Sequence, residues 1–315
     1  MIGAVAFAAE PTVTDVVAKQ RYPWNGLVDI TCNVEGLDET TKGFEFYASA
    51  IVSDFGITNR LSHFWIMKDG EKSTDRFVNA NGNYHLLWDA KANFGEVRYT
   101  NMVVRVNIDR AMVQLWDRGP YWATTNIGAE KPEDYGYYFW WGDTVGYKRE
   151  NDKWVASDGS NSNFSFTSGN TPTCNKSVTT LRSEGWITAD GVLAPEYDAA
   201  WTHWGGDWRM PTRQEFDDLI SQCDWTWTTL NGVNGYIVRG KGDYSSKSIF
   251  LPCAGYGLGT SLSDAGSLGD YCSSVPDSYS YYAWYLNFDS SSHYTRDYCG
   301  RYDGQSVRPL QGFTK

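Results

Sequence analysis

Between positions 11 and 109, short runs of β-branched and aromatic residues alternate with turn signals. The runs cover 27–34, 44–52, 63–67, 84–88 and 102–108. Between them stand Glu35-Gly36, the 54–56 segment, Asp69-Gly70 and Asn81-Gly82-Asn83. Each run predicts a strand, and Asp69-Gly70 and Asn81-Gly82 predict tight hairpin turns. After a junction at 110–119 the texture changes, with Gly, Trp and Tyr rising. The 150–175 stretch, rich in Asn, Ser, Thr and Gly, predicts a surface loop. At 212–222 the period becomes helical. Thr212 reads as an N-cap, Glu215 completes a capping box, and Phe216, Leu219 and Ile220 follow at helical spacing. Strands are expected at 225–228 and 236–238 around a 231–235 turn, at 249–252, and in a closing segment at 306–310.

Strand spacing in 11–109 predicts an all-β sandwich, broadly immunoglobulin-like. The Cys…Trp…Cys hallmark of true immunoglobulin domains is missing, because Cys32 is the one cysteine there. His63 and His85 are isolated, so the expected role is a spacer or anchoring module. Residues 115–315 form the second expected domain. Positions 1–10 end in small residues with Ala6 and Ala8 in an A-x-A arrangement, but lack a basic start. Two readings stay open: a signal peptide missing its upstream part, or an accidental match. The first implies an exported protein, on a cell surface, secreted or on a virion.

Composition narrows the classes. A net charge of −11 and a pI near 4.8 argue against nucleic-acid binding. No apolar run is long enough for a transmembrane helix, so an integral membrane protein is not expected. Six cysteines form no C-x-x-C pair and the four histidines are scattered, so no zinc pattern exists; no cofactor is expected and any metal is unassigned. Aromatic content of 16%, with 15 Trp and 21 Tyr, fits a β-rich, aromatic-packed protein.

The 277–303 strip, DSYSYYAWYLNFDSSSHYTRDYCGRYD, is crowded with Tyr, Ser and Asp. Antibody paratopes share this chemistry: Tyr gives large rigid contacts, while Ser, Asp and Gly give adaptable hydrogen bonds. A solvated loop without a partner favours the same residues. The residues expected on an exposed binding face are Tyr279, Tyr281, Tyr282, Tyr285, Asp289, Ser291, Tyr294, Arg296, Asp297, Tyr298, Tyr302 and Asp303. Ala283, Leu286 and Phe288 fit a buried strand, with Leu286 and Phe288 on one face and Ala283 on the other.

Five segments, YWATTNIGAEKPEDYGYYFWWGDT, WGGDWRMPTRQEF, WTWTTLNGVNGY, SIFLPCAGY and GQSVRPL, resemble in that order the fibrobacter-type major paralogous domain of bacterial surface proteins. The resemblance covers about 115–312 and implies an α+β C-type lectin fold of the formylglycine-generating-enzyme kind. It implies that Arg301, Gly304, Val307, Arg308 and Pro309 hold the fold. It does not carry catalysis, because Cys253, Cys272 and Cys299 fall outside the closing motif, so no enzyme is expected. The calcium-lectin triplets Glu-Pro-Asn, Gln-Pro-Asp and Trp-Asn-Asp are absent.

One subgroup with this fold comprises the variable proteins of diversity-generating retroelements. There an error-prone reverse transcriptase rewrites template adenines, so Asn codons become NNY codons, which never encode Lys, Glu, Gln, Met or Trp. From 248 to 304 the chain has no Lys, Glu, Gln or Met, where about six would be expected at its average usage. Trp284 would be a fixed position. Cys272 stands where the family usually has Trp, either from a randomised codon or from drift. The resemblance therefore implies an exported display protein whose retroelement-diversified face binds a variable ligand, a protein in the first reading. The alternatives are a lectin or adhesin of fixed specificity binding a glycan, and a structural surface protein.

Overall fold

The computed structural model describes residues 11–37, 44–52, 57–61, 63–73, 77–78, 80–94, 102–110, 112–205 and 207–312. The terminal segment read as a signal remnant lies outside them. The chain is mostly β-sheet, 47% strand against 14% helix. It divides into two compact units, Met1–Ala111 and Met112–Lys315.

In the first unit, inward and outward positions alternate along Leu27–Glu35, burying Val28, Ile30, Cys32 and Val34. This strand lies in an antiparallel sheet ordered Thr12–Gln20, Leu27–Glu35, Gly82–Asp89, Phe64–Lys68, Glu71–Ser73. A second sheet is built on Phe44–Val52, which pairs with Ile57–Arg60, Phe77–Val78 and Met102–Arg110. Ile30, Leu86 and Trp88 from the first sheet share one core with Phe44, Phe46 and Val106 from the second. Asp69-Gly70 makes the expected hairpin, both residues holding positive φ (51° and 84°). Asn81-Gly82 does not. The strand before it, Phe77–Val78, belongs to the other sheet, and the Asn81 amide instead brackets Leu37, accepting its N–H and donating to its C=O at 2.8 Å each.

In the second unit the strand Tyr121–Ala123 pairs on one side with Met112–Gln114 and on the other with Leu310–Gln311 near the end of the unit. The helix Arg213–Gln222 has its predicted capping box. Thr212 Oγ1 accepts the Glu215 N–H, and the Glu215 carboxylate accepts the Thr212 N–H. Glu215 also takes a two-pronged bond from Arg209, at 2.7 and 2.5 Å. The helix buries Phe216 and Leu219 in a core with Trp122, Leu251, Tyr271, Leu286 and Phe288. The hairpin Cys223–Leu230/Val233–Gly240 turns at Asn231-Gly232, both at positive φ, and Ser248–Pro252 adds a third strand.

The largest sheet runs in the order Lys153–Ala156, Tyr147–Glu150, Tyr138–Phe139, Gln305–Ser306, Gly269–Pro276, Tyr282–Phe288, His293–Gly300. The expected surface loop at 150–175 is thus corrected in part. It holds the strand Lys153–Ala156, and it buries Phe164 and Phe166. Phe164 stacks on Tyr147 at 3.9 Å, and Phe166 meets Trp154 edge-on at 4.9 Å. Three buried aromatic residues, Trp154, Phe164 and Phe166, outweighed the loop composition around them.

Two arginines brace this unit from inside. Arg308 donates to Asn126 Oδ1 and to the carbonyls of Ala123, Thr124 and Phe250. Arg301 donates to the carbonyls of Thr173, Lys176, Asp277 and Tyr282. Both are 0% exposed. Burial lowers both guanidinium pKa values to about 10, which leaves them charged at neutral pH.

Candidate ligand-binding cleft

The end of the largest sheet is a three-stranded antiparallel ribbon, and its register assigns every side chain to a face. Asp270 lies opposite Asn287, and Asn287 opposite Tyr294. Cys272 lies opposite Tyr285, and Tyr285 opposite Arg296. These residues share one face. Tyr271, Leu286 and Thr295 form the next row on the other face, as do Phe288 and His293. That second face meets the helix Arg213–Gln222. Thr295 Oγ1 donates to Asp217 at 2.6 Å, and the Arg213 guanidinium lies 3.5 Å from the Trp284 ring. A bulge interrupts the outer strand: Ala283 opposes Cys299 and Tyr285 opposes Arg296, so Asp297 and Tyr298 stand against Trp284 alone.

The first face floors a cleft of about 330 Å³. Asp270, Tyr285, Asn287, Tyr294 and Arg296 come from the strands, with Tyr298 and Cys299 past the bulge. Tyr256, Asp264, Leu268, Asp289 and Asp303 complete its walls. Four carboxylates therefore face one guanidinium. Arg296 is not within salt-bridge distance of any of them, though its charge lowers the Asp270 pKa; its guanidinium lies 4.0 Å from the Tyr294 ring centre and 5.1 Å from that of Tyr298.

The carboxylates differ in state. Asp289 accepts the N–H and hydroxyl groups of Ser291 and Ser292, and these bonds hold its pKa below the usual value. Asp270 is 5% exposed, and its one hydrogen bond comes from Asn287 Nδ2 at 2.6 Å. Burial pushes its pKa up to about 7, against that bond, with Asp303 adding like-charge repulsion. Asp303 accepts the Gly300 N–H on Oδ2 at 3.0 Å, while its buried Oδ1 has no partner. Burial raises its pKa to about 6.

Of the residues expected on the binding face, Tyr285, Asp289, Tyr294, Arg296, Tyr298 and Asp303 line the cleft. Tyr285 was expected to be exposed but is only 6% exposed; it forms the floor because its strand is covered on both sides by hydrogen-bonded neighbours. Tyr279, Tyr281 and Tyr282 make a separate ring cluster, with Tyr279 5.9 and 5.1 Å from the other two and itself 58% exposed. Ser291 belongs to the turn held by Asp289. Asp297 is exposed and Tyr302 half-buried, both outside the cleft lining. Ala283, Leu286 and Phe288 are buried, and they divide between two cores as their alternation predicts.

Tyr256, Asp264, Leu268, Asp270, Asn287 and Cys299 were not anticipated in the site. For Asn287 a signal existed: with Leu286 and Phe288 bracketing it, a period of two places it beside Tyr285. Nothing local to Asp270 announces a partner 17 residues away.

All six cysteines are free, and five of them are buried. Burial raises the thiol pKa of Cys253 to about 12 and pushes Cys272 and Cys299 well up. Among the described residues no group of three or more His, Cys, Asp or Glu is placed to hold a metal ion. No helix among them is long and apolar enough to cross a membrane. Comparison with known family models, curated proteins and solved structures finds no match to this chain.

Proposed function

We propose that the protein is an exported display protein whose second unit, a C-type-lectin-like domain, carries a retroelement-diversified face that binds a ligand, a protein in the first instance. One observation carries the reading. All twelve residues lining the cleft fall between 256 and 303, inside the 248–304 stretch that lacks Lys, Glu, Gln and Met. Each of the twelve is a type that an NNY codon can encode. Trp284, which such a codon cannot encode, lies on the opposite face against Arg213.

The lectin-like fold is supported by how the resembling segments interlock. Arg308 of the last binds Asn126 of the first and the Phe250 carbonyl of the fourth, and Arg209 of the second donates its N–H to the Leu310 carbonyl of the last at 2.9 Å. An immunoglobulin-like first unit is supported by its two sheets around a shared core. No catalytic role is assigned, since buried, protonated thiols are the opposite of an activated nucleophile.

The test is the neighbouring DNA. A reverse-transcriptase gene should lie nearby, with a template repeat carrying Asn codons where Tyr285, Asn287, Tyr294, Tyr298 and Asp303 stand. Absence of such a repeat removes the retroelement while leaving a binding role. A second reading, a fixed-specificity glycan site, is favoured by tyrosine rings set among carboxylates in one cleft. Binding to one defined glycan on an array, with and without chelator, would establish it in place of the first.

A further inference from the structure

Taking the cleft as the ligand-binding face, we propose that it receives the cationic head of an arginine or lysine side chain presented by a protein partner. The charge balance of the walls is the first argument. Four carboxylates stand against Arg296, and no ion pair joins them to it. An anionic group entering here would add to the negative charge of the walls.

The second argument is incomplete bonding at two buried acceptors. Asp270, nine-tenths buried and more, has one neutral amide as its partner. Asp303 keeps a buried Oδ1 with none at all. A buried carboxylate with few hydrogen bonds is costly, and an incoming ammonium or guanidinium supplies further donors and a second positive charge beside Arg296. Burial holds both groups above the usual carboxylate pKa, although the Arg296 charge pulls that of Asp270 down.

The third argument is the aromatic lining. Tyr294 and Tyr298 already hold the Arg296 guanidinium over their rings, so the walls suit planar cations. Tyr256 and Tyr285 line the same cleft. Its volume sits at the lower end of the roughly 300–1,000 Å³ typical of ligand pockets, a size for one side chain and not an extended chain.

The experiment titrates the full chain with N-acetyl-arginine amide, N-acetyl-lysine amide and the uncharged isostere N-acetyl-citrulline amide, followed by protein NMR. Saturable binding of a cationic probe is expected, with citrulline at least tenfold weaker. Asp270→Asn and Asp303→Asn should each weaken the cationic probe about tenfold. Asp218→Asn, the same charge change on the helix surface, should not. Unfolding curves for each variant confirm that the fold is retained. Equal affinity for citrulline, unaffected Asp270→Asn and Asp303→Asn variants, or no saturable binding would each overturn the proposal. None of these outcomes touches the display reading, which the template repeat decides separately.

Discussion

At Asp270 a carboxylate sits 5% exposed with one amide for company. Its folded-state pKa, about 7, lies above the unfolded value near 3.8. The folded protein therefore binds more protons than the unfolded chain between those values, and stability falls as pH rises through that window. Asp303, at about 6, adds to the same trend. Asp270→Asn should flatten the fall and stabilise the protein at pH 8 by about 2 kcal/mol, as read from urea unfolding at pH 4, 6 and 8. An unchanged slope between pH 4 and 7 would refute this account of Asp270. Arg308 predicts the opposite sign. Three of its four acceptors are buried with it, so Arg308→Met orphans them and should cost about 3 kcal/mol or more. A loss below 1 kcal/mol in the same assay would contradict that.

Elements show what local pattern can and cannot announce. Asp69-Gly70 and the Thr212 capping box were legible because both turn and cap are set by residues two or three apart. Thr212→Ala should cost about 1 kcal/mol of unfolding free energy. Asn81-Gly82 carries the same local signal as Asp69-Gly70, yet its flanking strands join different sheets, which is decided by partners tens of residues away. The site divides in the same manner. The strip at 277–303 was legible as a surface of Tyr, Asp and Ser. The far wall, Tyr256 to Asp270, reaches it only through strand pairing such as Asp270 with Asn287. That pairing depends on close packing at Gly269, where an added Cβ would stand 2.0 Å from the Phe288 ring. Gly269→Ala should therefore destabilise by about 1–3 kcal/mol and alter probe binding in the cleft, measured by unfolding and by the NMR titration. An alanine variant as stable as the parent would show that the strand can shift freely.

Over the whole second unit, the same short ribbon serves a core on one side and a cleft on the other. Leu286→Ala, on the core side, should cost about 2–5 kcal/mol, whereas Tyr279→Ala, on the exposed ring cluster, should fall within about 0.5 kcal/mol. Comparing their thermal midpoints checks the contrast. The bulge at Asp297 and Tyr298 has a consequence for anyone building libraries on this protein. Before it, a designer must leave alternate codons untouched, because each second letter is reserved for the interior. Past it the alternation slips by one, so a randomisation scheme laid out by simple alternation would reach Tyr298 but miss Cys299, which the slip returns to the cleft face. A library keyed to the slip keeps the buried Arg301 fixed and varies Tyr298 and Cys299 together with the rest of the cleft lining.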